Sequence, residues 1–514
     1  MVTRARSALR PPGSWLAIAV FNLLFLSISL YLPPASAALA PSPSSSWPHG
    51  PLTTTNRWIL NFSGAKIVYV GANWPGSLDT MVPEGLQYQS IEGIVGKIKS
   101  LGMNAVRLTY ATQMVDEYYA NGEKDVLVHD AFVNALGEEE GERVWGNVRE
   151  RNPGFGEGVG RLQVYDAIAA ECAKQEIYLH LDNHVSKAGW CCSPLDGNTW
   201  WNDDYFDVSN WTRGLAFMAE RGKNWPSLTS LSLRNEPRIP LSNPQLLNTS
   251  YNWADWYKYM RQGADAIHSA NPDVLIFLSG IDSDTDLSAV VNKDAPLTPS
   301  TAVFDRAEFN GYGDEKLVLE LHVYDNILGN TGKDCDGLRE GWVEKGFKTL
   351  DENDGDTARF PLVVTEFGFP QDGSGGDESA YASCALDYFA AQHAGWMIWS
   401  LGGSYYIREG MVDYDEGWGL LSHDWSSLRN PGFVNTFLVP AVKTSTAPIN
   451  GTRGSGNTNT PSGGGDDDSQ ASSPGDGSSD DKPSSAPTLD YARVGVAVVL
   501  GVIGAVIMGF GSWR

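Results

Sequence analysis

Eight short apolar runs, separated by longer stretches with helical spacing, constrain the fold of this 514-residue chain more than any other feature. The runs span residues 67–72, 105–108, 177–181, 228–233, 274–278, 316–321, 361–365 and 396–400. Helical spacing of apolar residues is found between them at 91–101, 162–175, 253–269 and 381–393. Such runs are typical of parallel strands buried on both faces. The pattern predicts an α/β fold, a (β/α)8 TIM barrel, although a doubly wound sheet gives the same alternation.

Two long segments predict insertions in the βα-loops of the barrel. Residues 113–160, rich in Glu and Gly, follow the second run, and residues 187–211 follow the third. The second insertion carries five large aromatic residues, Trp190, Trp200, Trp201, Tyr205 and Trp211. Because these loops surround the active site of a barrel, the aromatics either stack against flat ligand faces such as sugar rings or pack the loop onto the barrel.

Polar residues stand at the carboxyl ends of most runs. The fourth run stops at Arg234, Asn235 and Glu236, and Pro237 prevents simple continuation of the strand. In a (β/α)8 barrel this end of each strand opens onto the active site. The candidate site residues are Arg107, His184, Asn235, Glu236, His322, Tyr324, Glu366 and Trp399. An ordinary polar turn would explain any one of them, so the prediction depends on their convergence.

Glu236 and Glu366, on separate strands, form the pair that cleavage of a glycosidic bond requires. One carboxylic acid protonates the leaving oxygen, and the other carboxylate attacks the anomeric carbon or activates water. The acid needs a raised pKa while its partner stays ionised, so the two need unlike surroundings. Arg107 and Tyr324 are candidates to keep one carboxylate charged. We expect the carboxyl groups to lie about 5–5.5 Å apart, as in retaining enzymes, rather than roughly 6.5–9.5 Å, as in inverting ones.

Six short motifs resemble, in their order along the chain, those of glycoside hydrolase family 5, the cellulase family of retaining barrel enzymes. They are Asn-Ala-Val-Arg-Leu, Leu-Asp-Asn-His, Leu-Arg-Asn-Glu-Pro, Glu-Leu-His-Val-Tyr, Val-Thr-Glu-Phe-Gly and Ile-Trp-Ser. The resemblance covers residues 61–438. It implies that Glu236 is the general acid/base and that Glu366 is the nucleophile.

The same resemblance implies roles for the supporting residues. Asn235 would hydrogen-bond the sugar 2-hydroxyl beside the nucleophile, while Arg107 and Tyr324 would orient Glu366. His184 and His322 would line the cleavage point. Trp399 would form the floor beneath the sugar bound on the non-reducing side of that point.

Two patterns imitate metal sites, but we expect neither a metal nor a cofactor. His180, Asp182 and His184 fall at alternate positions, so their side chains share one face. We interpret His180 as buried and hydrogen-bonded to backbone, because a metal-dependent barrel hydrolase would carry a His-x-His pair on its first strand. Residues 282–286 have aspartate at alternate positions but lack the glycine and glutamate of a calcium loop. We interpret them as a polar loop after a strand.

Charge and cysteine content restrict partners and compartment. The formal net charge of −25 argues against nucleic-acid binding, because phosphates attract basic surfaces. Five cysteines fit an oxidising compartment, and the odd number leaves at least one thiol free. Cys172 lies in a helical pattern and is expected to be that buried, inert thiol. Sequence does not decide the pairing of Cys191, Cys192, Cys335 and Cys384.

Both ends of the chain predict export and attachment to a surface. Residues 1–37 have the pattern of a signal peptide, with an uncleaved anchor as the alternative. Residues 452–492 are a Ser/Gly/Asp/Pro-rich stalk that we expect to be disordered. The hydrophobic tail, 493–514, resembles a glycolipid-anchor signal more than the alternative, a transmembrane helix. Sequons for N-glycosylation stand at Asn61, Asn210, Asn248 and Asn450.

These features predict a secreted, surface-anchored, retaining endo-β-glycosidase whose catalytic domain spans residues 47–448. We expect a monomer that acts on a β-linked polysaccharide in the manner of an endo-β-1,4-glucanase and meets the membrane only through its C-terminal anchor. The alternatives are a cell-wall β-glucan transglycosylase, a β-mannanase and a non-catalytic wall-binding protein. The presence of both glutamates argues against the last of these.

Overall fold

The fold is that of a computed structural model, which describes residues 47–325, 333–374 and 379–449. The predicted signal peptide, stalk and hydrophobic tail lie outside the described residues, as does the sequon at Asn450. In the part of the chain that is described, no helix is both long enough and apolar enough to cross a bilayer.

A small antiparallel sheet lies at the amino-terminal end of the barrel strands. It comprises β1 (Thr53–Thr55), β2 (Trp58–Leu60) and β3 (Lys66–Ile67). Ile59 pairs with Ile67 and packs in one apolar cluster with Tyr69 and Tyr178, at the beginnings of two barrel strands. The first predicted run, 67–72, was therefore wrong at its start, because Ile67 belongs to this sheet and the barrel strand begins at Val70.

Eight parallel strands form a closed barrel, as predicted. They are β4 (Val70–Trp74), β5 (Ala105–Ala111), β6 (Tyr178–Val185), β7 (Leu228–Ser232), β8 (Leu275–Ser279), β9 (Leu317–Val323), β10 (Leu362–Phe367) and β11 (Gly395–Ile398). The strands pair in chain order, and β11 closes the barrel against β4, with Trp396 opposite Val70. A doubly wound sheet would leave two edge strands, so this pairing excludes it.

Helices surround the barrel. They are α1 (Ile91–Ser100), α2 (Thr112–Ala120), α3 (Val128–Leu136), α4 (Glu138–Arg151), α5 (Arg161–Lys174), α6 (Val208–Gly222), α7 (Pro244–Thr249), α8 (Trp253–Ala270), α9 (Ser288–Val291), α10 (Gly313–Lys316), α11 (Cys335–Lys345), α12 (Ser379–Gln392), α13 (Pro431–Phe433) and α14 (Val439–Ser445). In α1, Ser90 Oγ accepts the N–H of Gly93, and Ile91, Ile94 and Ile98 share the buried face. All four predicted helices exist, because this spacing gives each one a face to bury.

The first predicted insertion is largely helical and supports a hairpin at the barrel mouth. The hairpin consists of β12 (Ser404–Arg408) and β13 (Met411–Asp415) and follows the last barrel strand. Phe132 of α3 packs edge-on against Tyr406 of the hairpin, with ring centroids 4.7 Å apart. From the loop after β4, the buried Glu84 carboxylate accepts the Tyr406 N–H at 2.6 Å. Contacts from α3 and from the loop after β4 therefore fix the position of the hairpin.

The aromatic residues of the second insertion divide between packing and the cleft. Three are fully buried and pack the loop onto the barrel: Trp200, Trp201 and Trp211. Tyr205 is exposed, and the Lys187 ammonium lies 4.2 Å from its ring centroid. Trp190 faces the cleft at the barrel mouth. Of the five predicted candidates, Trp190 is the one placed to stack against a ligand there.

Two disulfides and one free thiol account for the five cysteines. Cys335 of α11 is bonded to Cys384 of α12, with Cα atoms 5.7 Å apart. Cys191 is bonded to Cys192 within the second insertion. Cys172 is free and buried, as predicted, and burial raises the pKa of its thiol, which makes it a poor nucleophile.

Replacing Cys335 and Cys384 together by serine is expected to lower the free energy of unfolding. The cross-link spans 49 residues, and the chain-entropy model gives ~4 kcal/mol for a loop of that size. Urea denaturation of the double variant beside the wild type, and beside Ser383→Ala as a neighbouring control, measures the difference. A loss below about 1 kcal/mol would show that the cross-link hardly restricts the unfolded chain.

Candidate active site

The predicted site residues converge at the carboxyl ends of the barrel strands, around a cavity of about 300 Å³. Six of them line it: His184, Asn235, Glu236, Tyr324, Glu366 and Trp399. The other two, Arg107 and His322, lie beneath and contact the two glutamates. Side chains separated by up to about 290 positions in sequence thus converge on one site, which is the placement that barrel topology dictates.

Glu366, in β10, is surrounded by donors. Arg107 Nη1 donates to its Oε1 at 2.6 Å, and the Tyr324 hydroxyl donates to its Oε2 at 2.9 Å. The Glu366 side chain is only 6% exposed, so these contacts are little weakened by water. A cation and a hydroxyl donor therefore hold the two oxygens of this side chain. Two residues after Glu366, position 368 requires glycine, because a Cβ there would lie 2.2 Å from the Trp399 carbonyl oxygen.

Glu236 follows β7 in a different environment. Its Oε1 lies 2.9 Å from His322 Nδ1, and among the described residues no lysine or arginine lies within salt-bridge distance of it. Burial raises the pKa of Glu236, and the positive charge of Arg238 opposes this only in part. Burial also lowers the pKa of His322 to about 4, so the imidazole is neutral near pH 7. Glu236 is therefore suited to hold a proton.

The two carboxylates face each other across the cavity. One oxygen of Glu236, one of Glu366 and one ring nitrogen of His322 lie within 4.8 Å of one another. An approach of this kind between one oxygen of each carboxylate is compatible with the about 5–5.5 Å that separates the carboxyl groups of retaining enzymes. The two carboxyl groups thus have unlike surroundings, Glu236 beside a neutral imidazole and Glu366 beside a cation and a hydroxyl donor, as double displacement needs.

Arg107 connects the strands beneath the cavity. Its Nη2 donates to Asn235 Oδ1 at 2.6 Å, and its Nη1 donates to Asn73 Oδ1 at 2.8 Å. Nη2 also lies 3.1 Å from Asp182 Oδ2. Burial lowers the pKa of Arg107, but Asp182 and Glu366 outweigh it and raise the pKa overall. Arg107 thus stays charged, and it fixes both Asn235 and Glu366.

The histidines of β6 do not form a metal site. Asp182 Oδ2 is engaged by Arg107 and by His184 Nδ1, which lies 2.7 Å away. Both ring nitrogens of His180 lie 2.8 Å from hydroxyls, those of Ser230 and Ser232. The prediction that His180 bonds to backbone was therefore wrong in its partner, because the β7 hydroxyls point into the barrel at the same level.

Two trios of ligand-type atoms also lie close together, those of Glu236, His322 and Glu366 and those of His184, Cys191 and Cys192. In the first, Arg107 already neutralises Glu366. In the second, the sulfurs are joined to each other and are not thiolates. Neither set fits a resident metal ion.

One side of the cavity combines predicted residues with Arg408 and Glu416, which the sequence did not identify. His184 stacks on Trp399 with ring centroids 5.4 Å apart. The Arg408 guanidinium lies 3.4 Å from the ring centroid of Trp190, and its Nη1 donates to Glu416 Oε2 at 3.1 Å. The second insertion and the β12–β13 hairpin therefore meet at this side of the site. Sequence alone does not predict this contact, because it depends on how two distant segments pack together in the folded chain.

Comparison with known proteins identifies the family. The sequence profile of Cellulase (glycosyl hydrolase family 5) matches residues 71–404. A "Glycosyl hydrolase 5 family protein" of Chamaecyparis obtusa is 34% identical over 395 residues, which cover 75% of this chain and 65% of that protein. An "Endoglucanase" of Paenibacillus polymyxa is 23% identical over 74% of this chain and 84% of its own length.

Solved structures share the fold. The endocellulase of Pyrococcus horikoshii, in a complex with cellotetraose, superposes with a TM-score of 0.56 at 20% identity, over 77% of this chain and 98% of that one. The catalytic domain of the major endoglucanase of Xanthomonas campestris pv. campestris gives a TM-score of 0.54 at 21% identity, over 77% and 99% of the two chains. These two similarities concern the barrel alone.

Proposed function

Because the chain belongs to glycosyl hydrolase family 5, the cellulase family, we propose that it is a retaining endo-β-glycosidase that hydrolyses a β-linked polysaccharide. The observation that carries this proposal is the pair of facing glutamates in unlike surroundings, Glu236 beside neutral His322 and Glu366 beside Arg107 and Tyr324. A non-catalytic wall-binding protein would have no need of such a pair.

In the first step Glu366 attacks the anomeric carbon while Glu236 gives its proton to the leaving oxygen. The C–O bond to the leaving sugar breaks as the bond to Glu366 forms, and a covalent glycosyl-enzyme results. In the second step Glu236, now ionised, takes a proton from water, whose oxygen displaces Glu366 from the same carbon. Two inversions at one carbon leave the configuration unchanged.

The remaining residues of the cavity bind and orient the sugar. Asn235, held by Arg107, is placed to hydrogen-bond a hydroxyl next to the reacting carbon. Trp399 and Trp190 offer indole rings to the apolar faces of sugars. His184 is fixed by Asp182 on one side and by stacking on Trp399 on the other. Preorganised donors of this kind need no reorganisation during the reaction.

A β-1,4-glucan is the substrate class that the comparisons favour. The named relatives include endoglucanases, and one structural neighbour is an endocellulase bound to cellotetraose. Purified protein incubated with β-1,4-glucan, β-1,3-glucan and β-mannan, and assayed for new reducing ends, tests this choice. Longer products from a β-glucan would indicate a transglycosylase, and cleavage of mannan alone would indicate a β-mannanase.

The stereochemistry of the product tests the mechanism itself. We expect the first sugar released from a cellooligosaccharide to carry the β configuration at its new reducing end, observed by proton NMR before mutarotation. Retention follows from the short separation of the two carboxylates. Release of the α anomer would instead show single displacement by water and would overturn the role proposed for Glu366.

The activity is expected to fall on the alkaline side at an apparent pKa above the ordinary glutamate value of about 4.3. Burial raises the pKa of Glu236, and above that pKa the residue has lost the proton that the leaving oxygen needs. On the alkaline limb of the pH profile, above this apparent pKa, kcat/KM on an unactivated glycan should therefore decrease about tenfold per pH unit. Preincubation at each pH, followed by assay at one pH, separates this titration from irreversible unfolding.

We also propose that the protein is exported and tethered to the cell surface by a glycolipid. The sequence patterns in residues 1–37 and 493–514 support this, as do the sequons. Expression of the full chain in a eukaryotic secretory host, followed by treatment of membranes with phosphatidylinositol-specific phospholipase C, provides the test. Release into the supernatant is expected, whereas retention would favour a transmembrane helix.

A further inference from the structure

The turn that follows β8 has an unusual backbone. Asp282, Ser283 and Asp284 have φ values of 52°, 60° and 60°, a left-handed conformation that residues other than glycine seldom adopt. Each such residue costs of order 1–3 kcal/mol, so the surroundings must hold the turn in place. The sequence predicts only a polar loop here, yet Asp284 is fully buried. A buried carboxyl group in a strained turn needs a physical explanation.

Asp284 contacts both Glu236 and His322. Its Oδ2 accepts the backbone N–H of Glu236 at 2.9 Å and lies 3.6 Å from His322 Nε2. Its backbone carbonyl accepts the N–H of His322 at 2.8 Å. One residue earlier, the N–H of Ser283 donates to the carbonyl of Pro237 at 3.1 Å. The turn therefore holds the Glu236 segment and His322 together.

Glu236 itself needs such support. Its φ is 48°, so the acid/base residue is also in the left-handed region. The hydrogen bond from its N–H to Asp284 satisfies a buried donor and fixes this conformation, which aims the side chain at His322. Without the acceptor, the segment is free to relax to negative φ, and the carboxyl group moves away from the cleavage point.

We propose that Asp284 is a positioning residue for catalysis, which holds the backbone of Glu236 and orients His322 so that its Nδ1 faces the Glu236 carboxyl group. This inference rests on the function proposed above and deepens it. A proton on His322 Nε2, the atom nearer Asp284, leaves Nδ1 as an acceptor for the acid proton of Glu236. Asp284 touches neither the cavity nor the reacting atoms, and acts through these two residues.

The charge state of Asp284 suits this role. Burial raises its pKa well above the ordinary value, and the neighbouring carboxyl groups of Glu320 and Glu236 raise it further, while Arg107 opposes them. His322 packs against it as a neutral ring. The hydrogen bond from the Glu236 N–H acts in the opposite direction and lowers the pKa of Asp284, but burial is the larger effect. In its protonated form Asp284 accepts this N–H without placing a second negative charge beside Glu236. Asparagine has the same shape and the same neutral acceptor, so it should replace aspartate here.

The test compares two aryl β-glycosides that differ in their need for an acid. Phenyl β-cellobioside has a poor leaving group that needs protonation. The leaving group of 2,4-dinitrophenyl β-cellobioside, 2,4-dinitrophenolate, departs without a proton. If the wild type cleaves a different glycan, the aryl pair carries that disaccharide instead. For Asp284→Ala we expect kcat/KM on the phenyl glycoside to fall by about 10²-fold, and on the dinitrophenyl glycoside by less than about threefold. Asp284→Asn should stay within about threefold of the wild type on both, with an unchanged alkaline limb.

Asp282→Asn and Asp282→Ala are the matched controls. Asp282 lies in the same turn and in the same backbone conformation, but its carboxylate is exposed and accepts from the Tyr251 hydroxyl. These variants should behave like the wild type on both glycosides. An equal loss on both substrates in Asp284→Ala would indicate a purely structural role and overturn the proposal.

Two further results would also overturn the proposal. One is a loss of kcat/KM on the phenyl glycoside in Asp284→Asn that matches the loss in Asp284→Ala. If the alanine variant fails to fold, Asp284→Asn decides alone, and a loss of more than about threefold on the phenyl glycoside overturns the proposal. The other is a shifted alkaline limb in Asp284→Asn, because asparagine keeps the acceptor for the Glu236 N–H and should leave the surroundings of Glu236 unchanged. A wild type that is inactive on every glycan would instead remove the proposed function.

Discussion

Replacing Glu366 by alanine is expected to reduce kcat by about 10⁴-fold or more on every substrate, including activated aryl glycosides, the scale seen when a covalent nucleophile is deleted. The proposed glycosyl-enzyme cannot form without its carboxylate, and no leaving group, however good, compensates for that. Initial rates on 2,4-dinitrophenyl β-cellobioside measure the loss. The variant also leaves the buried Arg107 with one carboxylate partner fewer, so a thermal melt must show that it is folded.

Azide distinguishes a missing nucleophile from a damaged site. In Glu366→Ala the space vacated beside Arg107 admits a small anion, which attacks the anomeric carbon from the enzyme's side and yields the α-glycosyl azide. We expect sodium azide to restore turnover and NMR to show that product. Glu344→Ala, an exposed glutamate on α11, is the control and should be fully active. Near-normal activity of Glu366→Ala without azide would contradict the proposed role.

The barrel was predictable because its signal is local. Strands buried on both faces require nearly continuous apolar side chains, and each run of this kind is visible in a few residues of sequence. The predicted carboxyl ends of the strands were less accurate, for a physical reason. β6 continues to Val185 although the apolar run stops at Leu181, because its last residues point polar side chains into the site. Where function begins, hydrophobicity no longer marks the strand.

The candidate site was predictable to the extent that it stands on strand ends. Glu236, Glu366 and Arg107 all follow or belong to apolar runs, and barrel topology alone brings them together. Trp190 and Arg408 belong to loops whose meeting depends on the packing of whole insertions. The same limit applied to the turn after β8, since burial of a carboxyl group is a tertiary property.

Replacing Glu236 by alanine is expected to have the second-largest effect, and one that depends on the substrate. On a glycan or on phenyl β-cellobioside, kcat/KM should fall by about 10²–10⁴-fold, because the leaving oxygen departs without a proton. On 2,4-dinitrophenyl β-cellobioside, kcat/KM should stay close to the wild-type value, since Glu366 still forms the intermediate. The alkaline limb should disappear at the same time, because the group whose raised pKa sets it is gone.

Azide then gives the opposite product from that of the nucleophile variant. In Glu236→Ala the glycosyl-enzyme forms but lacks a base to activate water, so azide attacks it from the free face and yields the β-glycosyl azide. Opposite anomers from the two alanine variants would fix which carboxylate does which task, independently of any rate. The α anomer from Glu236→Ala would reverse the two roles. Loss of Asp284 should resemble a weaker form of this variant, because it displaces the acid/base without removing it.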